Sequence, residues 1–262
     1  MDEASLRADM IEGLEHQIGE PLGASVLTAL KRVPRDAFVD DAPYATGASS
    51  EADARALAPA IVVRLLTALA ADEGDEVLVV GAGVGYSVAM LAEIAGARHV
   101  HAVDIDREAV STARSNLSAA GYDAVLVDRR DGANGLPEYA PYDRILLEAA
   151  VVEPPRALRE QLADGGRIVY PRGTTTQTIA AIESDTVESP ATGVDSPPDE
   201  APPGFVTVET AGPVGLRPML VDGEQAGVER NRTRREDAER AEQGHFAKHG
   251  WEQEWIDWDD RL

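Results

Sequence analysis

The alternation of apolar and polar residues divides the chain into segments of different kinds. Apolar residues recur at helical spacing over 5–14, 24–33 and 58–70, which predicts three helices, and Pro59 suits a first helical turn. From residue 75 to 184, short apolar runs of strand length alternate with helix-length segments. Such alternation predicts an α/β fold with a parallel sheet and helices on both faces.

The predicted strands can be named from their apolar runs. They are EVLVV, HVHAV, AVLV, DRILLEA and RIVYP, with FVTVET and RPMLV as candidates for later, returning strands. The segment DREAVSTARSNLSAAG predicts a helix with Gly121 as its C-cap.

Composition shifts suggest three regions. We expect an N-terminal helical region over 1–70 and a core over 71–221. Residues 185–204 are rich in Pro, Asp and Ser, which predicts a mobile loop or hairpin tip within that core. Residues 222–262 are charged and predict a C-terminal helical extension.

Charge and composition limit which kinds of partner and which cellular compartment we expect for this protein. The formal net charge is -23, which disfavours nucleic acid as a partner because phosphate contacts need clustered Lys and Arg. Only Lys31 and Lys248 are lysines, and an acid excess with little lysine indicates adaptation to a salt-rich cytoplasm. There is no cysteine, and no apolar run is long enough to span a membrane or to serve as a secretory core, so we expect a cytoplasmic protein.

The stretch VLVVGAGVGYSVAML, residues 77–91, carries the main candidate chemistry. It places Gly81, Gly83 and Gly85 between a predicted strand and a predicted helix, where bare backbone can approach a ligand and free N–H groups can face it. Tyr86 stands where a dinucleotide-binding loop would have its third glycine. The G-x-G-x-G order is more typical of enzymes that bind S-adenosylmethionine.

Two acidic residues follow the next predicted strands. Asp104 ends the second strand, where a carboxylate can accept from both hydroxyls of a ribose. Asp131 follows the third, where it can accept from an adenine amino group while Gly132 leaves room for the ring. The alternative interpretation is an ordinary Asp-Gly turn and a solvated aspartate.

An ordered set of motifs resembles the protein-L-isoaspartate O-methyltransferase family. The motifs are VPRDAFV, VLVVGAGVGY, DGANGLPEYAPYDRI, PPRALREQLADGGRIVYPRG and the later Gln177, spread from about Leu30 to Ser184. The resemblance implies a Rossmann-like class I methyltransferase sheet and S-adenosyl-L-methionine as methyl donor. It also implies a damaged protein or peptide as substrate, methylated on an isomerised aspartyl carboxylate. The residues it assigns to the cofactor are Gly81, Ala82, Gly83, Gly85, Asp104, Ile105, Asp131 and Gly132; it implies no metal.

The chain departs from the family pattern on the substrate side. Arg55 and Leu57 replace the threonine and serine of a T-I-S-A-P-like segment, and Glu148 precedes Ala-Ala-Val-Val where the family usually has A-A-A-P. We take Arg55 and Glu148 as candidate catalytic residues: Arg55 to clamp a carboxylate bidentately, Glu148 to orient an amine or hydroxyl nucleophile. The alternative for Arg55 is a solvent-facing helix residue.

Two residue groups near the C-terminus remain as weaker candidates. His245 and His249 have metal-ligand spacing but no evident third ligand, so a surface pair is the default. Trp251, Trp255 and Trp258 share one helical face, which fits either a docked tail helix or a contact with another protein. The substitutions leave two further hypotheses open: a methyltransferase for another acceptor, such as a tRNA base, and a non-catalytic cofactor-binding protein.

Overall fold

The computed structural model describes residues 3–19, 21–45, 56–185 and 201–220. Arg55, most of the predicted mobile loop and the whole C-terminal extension, with its histidine and tryptophan candidates, lie outside the described residues. Within the described ranges, no helix has the length and apolar character needed to cross a membrane.

A seven-stranded sheet in the order β3-β2-β1-β4-β5-β6-β7 organises the fold. Strands β1 to β5 run parallel to one another. Beyond β5, β6 pairs antiparallel with β5, and β7 pairs antiparallel with β6. The strand bounds are Val77–Val80 (β1), Val100–Asp104 (β2), Leu126–Arg129 (β3), Tyr142–Leu147 (β4), Leu162–Arg172 (β5), Gln177–Ser184 (β6) and Phe205–Val214 (β7). The predicted mostly parallel α/β sheet is therefore confirmed.

Helices cover both faces of this sheet. They are Glu3–Ile18 (α1), Ala24–Arg32 (α2), Pro59–Leu69 (α3), Tyr86–Leu91 (α4, continued by a π-helical turn), Arg107–Ala119 (α5) and Arg156–Glu160 (α6). Along β1, Val77 and Val79 face the core under α1 to α5, whereas Leu78 and Val80 face a second core that includes Leu158 of α6. Apolar residues on both faces are typical of parallel strands buried between helices.

Specific residues mark the ends of α3 and α5. Pro59 occupies the start of α3, where its missing N–H costs no hydrogen bond. The side chain of Asp106 accepts from the Glu108 N–H and caps α5. At the other end of α5, Gly121 has φ +87° and follows the cap residue Ala120, so the glycine lies one position beyond the predicted cap.

Two strand expectations differ from the structure. RPMLV does not form a strand in its described part. Pro218 makes only an isolated parallel bridge to Ala150, in which the Arg217 carbonyl accepts from the Ala150 N–H and the Met219 N–H donates to the Ala150 carbonyl. In contrast, Gln177–Ser184 forms β6, which the apolar pattern did not single out. Its Ile179, Ala180, Ala181 and Ile182 are buried on both faces between β5 and β7.

Candidate functional site

The carboxyl ends of β1, β2 and β4 place three of the predicted residues at one edge of the sheet. Val80 of β1 pairs with Val103 of β2 and with Leu147 of β4, so Gly81, Asp104 and Glu148 follow directly at this edge. The Gly81 N–H donates to the Val103 carbonyl at 2.8 Å, and the Glu148 N–H donates to the Val80 carbonyl at 2.8 Å. Such an edge is where parallel α/β sheets bind their ligands.

The glycine loop after β1 needs residues without side chains for two reasons. Gly81 has φ +99°, and a Cβ at this position would lie 3.2 Å from the Glu148 Cβ. Gly85 has φ +91°, and its Cβ would come within 3.3 Å of the backbone of Ala113 in α5. Both conformations are strained for residues other than glycine. The loop is therefore held tightly between β4 and α5, with its backbone bare.

Asp104 ties the end of β2 to the glycine loop. Its Oδ2 accepts from the Gly83 N–H at 3.2 Å, and its Oδ1 accepts from the Asp106 N–H at 2.9 Å. Burial raises the pKa of this carboxyl, and the backbone N–H donors partly offset that rise. The Ala82 N–H is a third backbone donor that faces this carboxyl. A carboxylate has about four lone-pair sites, so acceptor capacity remains for a ligand.

Asp131 and Gly132 lie in a turn next to this edge. The Asp131 side chain accepts from the Ala133 N–H at 2.9 Å and caps the short 3-10 turn Gly132–Asn134. Gly132 packs closely against β1. A Cβ there would lie 2.4 Å from Cγ1 of Val80, so this packing also requires a residue without a side chain. Ile105 accepts from Arg129 through its carbonyl oxygen at 3.3 Å.

A small cleft lies beside the glycine loop and has room for about one water-sized group, about 10 Å³. It is lined by Leu57, Val62, Ala82, Val84, Tyr86, Ser87 and Glu148. We call it the loop cleft. It brings the glycine loop together with Leu57 and Glu148, two positions at which this chain departs from the family pattern.

Glu148 is the carboxyl side chain that lines the loop cleft. Its pKa is raised to about 7, mainly by burial and to a smaller extent by the nearby Asp104, whereas the hydrogen bond with the Ser87 hydroxyl acts to lower it. Its Oε1 is buried and has no hydrogen-bond partner among the described residues. A buried carboxyl of this kind is either protonated or paired with a cation.

Arg35 was not predicted as a site residue, although it lies in the VPRDAFV motif. It is only 2% exposed, and its Nη2 donates to the Leu57 carbonyl at 2.7 Å. A buried arginine is rare, but the sequence signal was weak because a single arginine beside a proline is usually at the surface.

The histidines of β2 lie away from this site. His99 and His101 both face Glu76, with His99 Nδ1 2.7 Å from a Glu76 oxygen. His101 is buried and its ring packs on Tyr139 with centroids 4.4 Å apart. They lie at the amino end of β2, at the opposite end of the strand from Asp104. Within the described residues no cluster of three metal-ligating side chains occurs.

The site and fold can be compared with known proteins. Residues 7–192 match the family model described as "Protein-L-isoaspartate(D-aspartate) O-methyltransferase (PCMT)". The chain is 40% identical over 170 residues to a protein-L-isoaspartate O-methyltransferase of Methanococcoides burtonii, covering 61% of this chain and 82% of that one. It is 36% identical over 196 residues to protein-L-isoaspartate O-methyltransferase 1 of Archaeoglobus fulgidus, covering 71% and 88%.

Solved structures show the same fold at lower identity. One protein-L-isoaspartate O-methyltransferase superposes with a TM-score of 0.63 at 21% identity, covering 81% of this chain and 65% of that chain. A second, from Plasmodium falciparum and solved with S-adenosyl-L-homocysteine, gives a TM-score of 0.62 at 17% identity, covering 84% and 98%.

Proposed function

We propose, because this chain belongs to the protein-L-isoaspartate(D-aspartate) O-methyltransferase family, that it methylates isoaspartyl carboxylates in damaged proteins. The family match over residues 7–192 is the observation that carries this proposal. Esterification makes the carboxyl carbon open to attack by the neighbouring backbone nitrogen. This attack breaks the ester C–O bond, releases methanol and closes a succinimide ring. The succinimide hydrolyses in part to normal aspartate, so the overall effect is repair.

The cofactor implied by the family is S-adenosylmethionine, and the residues at the sheet edge fit it. Gly81, Ala82, Gly83 and Gly85 present bare or nearly bare backbone, and a side chain at Gly81 would crowd Glu148. Asp104 keeps acceptor capacity for a ribose hydroxyl. Ile105, Asp131 and Gly132 border the same edge, and we expect them to lie along the adenine. S-adenosylmethionine supplies the methyl group when bound.

The residues of the chain contribute mainly by positioning. An ionised carboxylate acceptor needs no general base, so holding it in line with the methyl group supplies much of the acceleration. Leu57 and Val62 give the loop cleft an apolar side that excludes water. Of the two candidate catalytic residues, Arg55 lies outside the described residues and stays a prediction, and Glu148 lines the cleft.

Methyl transfer to a matched pair of peptides tests this function. The purified full chain is incubated with methyl-labelled S-adenosylmethionine and a peptide that contains isoaspartate, or the same peptide with normal aspartate. We expect base-labile methyl ester on the isoaspartyl peptide only, and a strong loss in Asp131→Ala. Equal labelling of both peptides, or labelling of total RNA without labelling of peptides, would contradict the proposed acceptor.

A related proposal concerns the salt concentration and the compartment in which the protein works. We propose that the acidic surface, with a net charge of -23, suits a salt-rich cytoplasm, where screening over about 3 Å at molar salt relieves self-repulsion. The free energy of unfolding should then rise between 0.1 and 3 M KCl. A fall over this range would count against the salt-adapted interpretation. The tryptophan contact through Trp251, Trp255 and Trp258 stays a prediction.

A further inference from the structure

Among the described residues, the loop cleft contains an acidic group without a counter-charge. Oε1 of Glu148 is buried and has no hydrogen-bond partner among the described residues. The side chains that face it are the Ser87 hydroxyl and Tyr86 from α4, Asp104 from the end of β2, and apolar residues from the glycine loop and the start of α3. None of these described residues is cationic. A buried carboxylate in such surroundings requires a proton or a cation.

We propose that Glu148 is the counter-ion for the α-ammonium group in the methionine portion of S-adenosylmethionine. The inference rests on the proposed function, since it presumes that this cofactor binds at the glycine loop. Glu148 follows β4 directly, and its Cβ lies against Gly81, so its carboxyl is adjacent to the loop that we expect to hold the cofactor.

The size of the cleft favours an ammonium group. The free space beside Glu148 is about 10 Å³, enough for one water-sized group, and an ammonium head group has that size. An ammonium also has three N–H donors, so it can satisfy the unpartnered oxygen by a charge-assisted hydrogen bond. The sulfonium of the same cofactor carries a positive charge but no N–H donor, so it cannot satisfy that oxygen.

Charge balance also argues for this occupant over the methyl acceptor. An ionised Glu148 would repel an isoaspartyl carboxylate, because both would be negative in a water-poor cleft. When an ammonium neutralises Glu148, an anionic acceptor can approach the methyl group without that repulsion. In this arrangement the cofactor completes the electrostatics of the acceptor site.

The same arrangement makes cofactor binding depend on pH. Burial raises the pKa of Glu148 to about 7, so near neutral pH much of the ligand-free protein holds a proton on this carboxyl. Pairing with an ammonium requires the ionised form, so affinity should rise from pH 6 to pH 8 and then level off. Among the groups that face Glu148, Ser87 does not titrate and Tyr86 stays neutral because burial raises its pKa. Asp104 also has a raised pKa, so it must be controlled for.

Two probes and two variants test the inference by calorimetry. S-adenosylhomocysteine carries the α-ammonium but no sulfonium, and 5′-methylthioadenosine is the same nucleoside thioether without the amino acid portion. We expect Glu148→Gln to weaken S-adenosylhomocysteine roughly tenfold or more at pH 8 and to leave methylthioadenosine within about twofold. The matched variant Asp104→Asn should weaken both probes by similar factors, because both contain the ribose.

Several results would overturn the inference. One is an unchanged affinity of Glu148→Gln for S-adenosylhomocysteine, and another is an equal loss of affinity for both probes. A loss of affinity seen only with S-adenosylmethionine would also overturn it, because that result would assign Glu148 to the sulfonium. If the wild-type protein binds S-adenosylhomocysteine and Glu148→Gln binds it equally well, only this inference fails. If the wild-type protein binds neither probe, the proposed function fails with it.

A measurement on the wild-type protein tests the same inference without depending on whether a variant folds. Wild-type affinity for S-adenosylhomocysteine should rise from pH 6 to pH 8 more steeply than affinity for methylthioadenosine. The excess slope reports Glu148, since any contribution of Asp104 acts on both probes. Parallel slopes for the two probes would contradict the inference whatever the behaviour of the variant.

Discussion

The guanidinium group of Arg35 lies over the ring of Tyr86, with Cζ 4.4 Å from the ring centroid. The same side chain donates from Nη2 to the Leu57 carbonyl at 2.7 Å. Tyr86 and Leu57 both line the loop cleft, so one buried arginine connects two of its sides. Arg35 is therefore a positioning residue: it acts on the cleft through its two neighbours.

We expect Arg35→Lys to lower the free energy of unfolding by about 1–3 kcal/mol, because lysine keeps the charge but loses the planar fork that stacks and hydrogen-bonds at once. Urea unfolding measures this. Arg32→Lys is the matched control, since Arg32 is 65% exposed in its ion pair with Glu93. That change should stay within about 0.5 kcal/mol. Equal effects of the two variants would contradict the role given to Arg35.

A second prediction separates backbone strain from crowding at the glycine loop. Gly81 and Gly74 both have positive φ, +99° and +88°, but only Gly81 has a neighbour where a Cβ would lie. Gly74→Ala should cost about 1 kcal/mol of stability from backbone strain alone. Gly81→Ala should cost more, because its Cβ would lie 3.2 Å from the Glu148 Cβ.

Binding distinguishes the two glycine variants further. Gly81→Ala should also weaken S-adenosylhomocysteine, measured by calorimetry, whereas Gly74→Ala should bind it normally. Normal binding by Gly81→Ala would contradict the assignment of this loop to the cofactor.

The raised pKa of Glu148 predicts how stability depends on pH. In the folded protein the pKa is about 7, against the ordinary value of 4.5, so the folded state holds more protons between these two values. The contribution of Glu148 to stability is therefore greatest below pH 4.5 and falls as pH rises through 7. The difference amounts to about 3 kcal/mol at pH 8.

Comparison of variants isolates this contribution. The free energy of unfolding of Glu148→Gln minus that of the wild type should increase from pH 5 to pH 8, because the glutamine has no charge to bury. Glu12→Gln, on the exposed face of α1, should show no such trend. A constant difference across this pH range would show that Glu148 does not titrate as stated.

A fourth prediction concerns Gln177, which connects β6 to the segment after β7. Its Oε1 accepts from the Leu216 N–H at 2.7 Å, and its Nε2 donates to the Leu216 carbonyl at 2.8 Å. Gln177→Leu leaves both backbone groups buried and unpaired, so we expect a loss of about 2–4 kcal/mol in thermal or urea unfolding. Gln17→Leu, at an exposed position of α1, is the control and should change stability by less than about 0.5 kcal/mol. Similar losses in both would mean that the hydrogen bonds of Gln177 add nothing.

Much of the fold was predictable because local patterns agree with the global structure. The five strands predicted between residues 75 and 184 all occur, with ends shifted by a few residues. The N-cap at Asp106 and the helix start at Pro59 follow from side-chain chemistry within one turn. β6 was missed because the middle of its apolar run is two alanines, which have little preference for strands. RPMLV was wrong because its described part makes one isolated bridge and no ladder.

Local spacing in the sequence predicts the glycine loop and the position of Asp104. It does so because a strand, a tight turn and a helix are specified by residues near one another in the chain. The adjacency of the strand ends follows from the parallel arrangement of the predicted strands. Folding across the sheet determined the rest. It buries the Glu148 carboxyl against Gly81, places Arg35 beneath Tyr86 and Leu57, and fills the space over Gly132 with Val80. These pairs are distant in the chain, so their burial and charge balance depend on packing that no local pattern encodes.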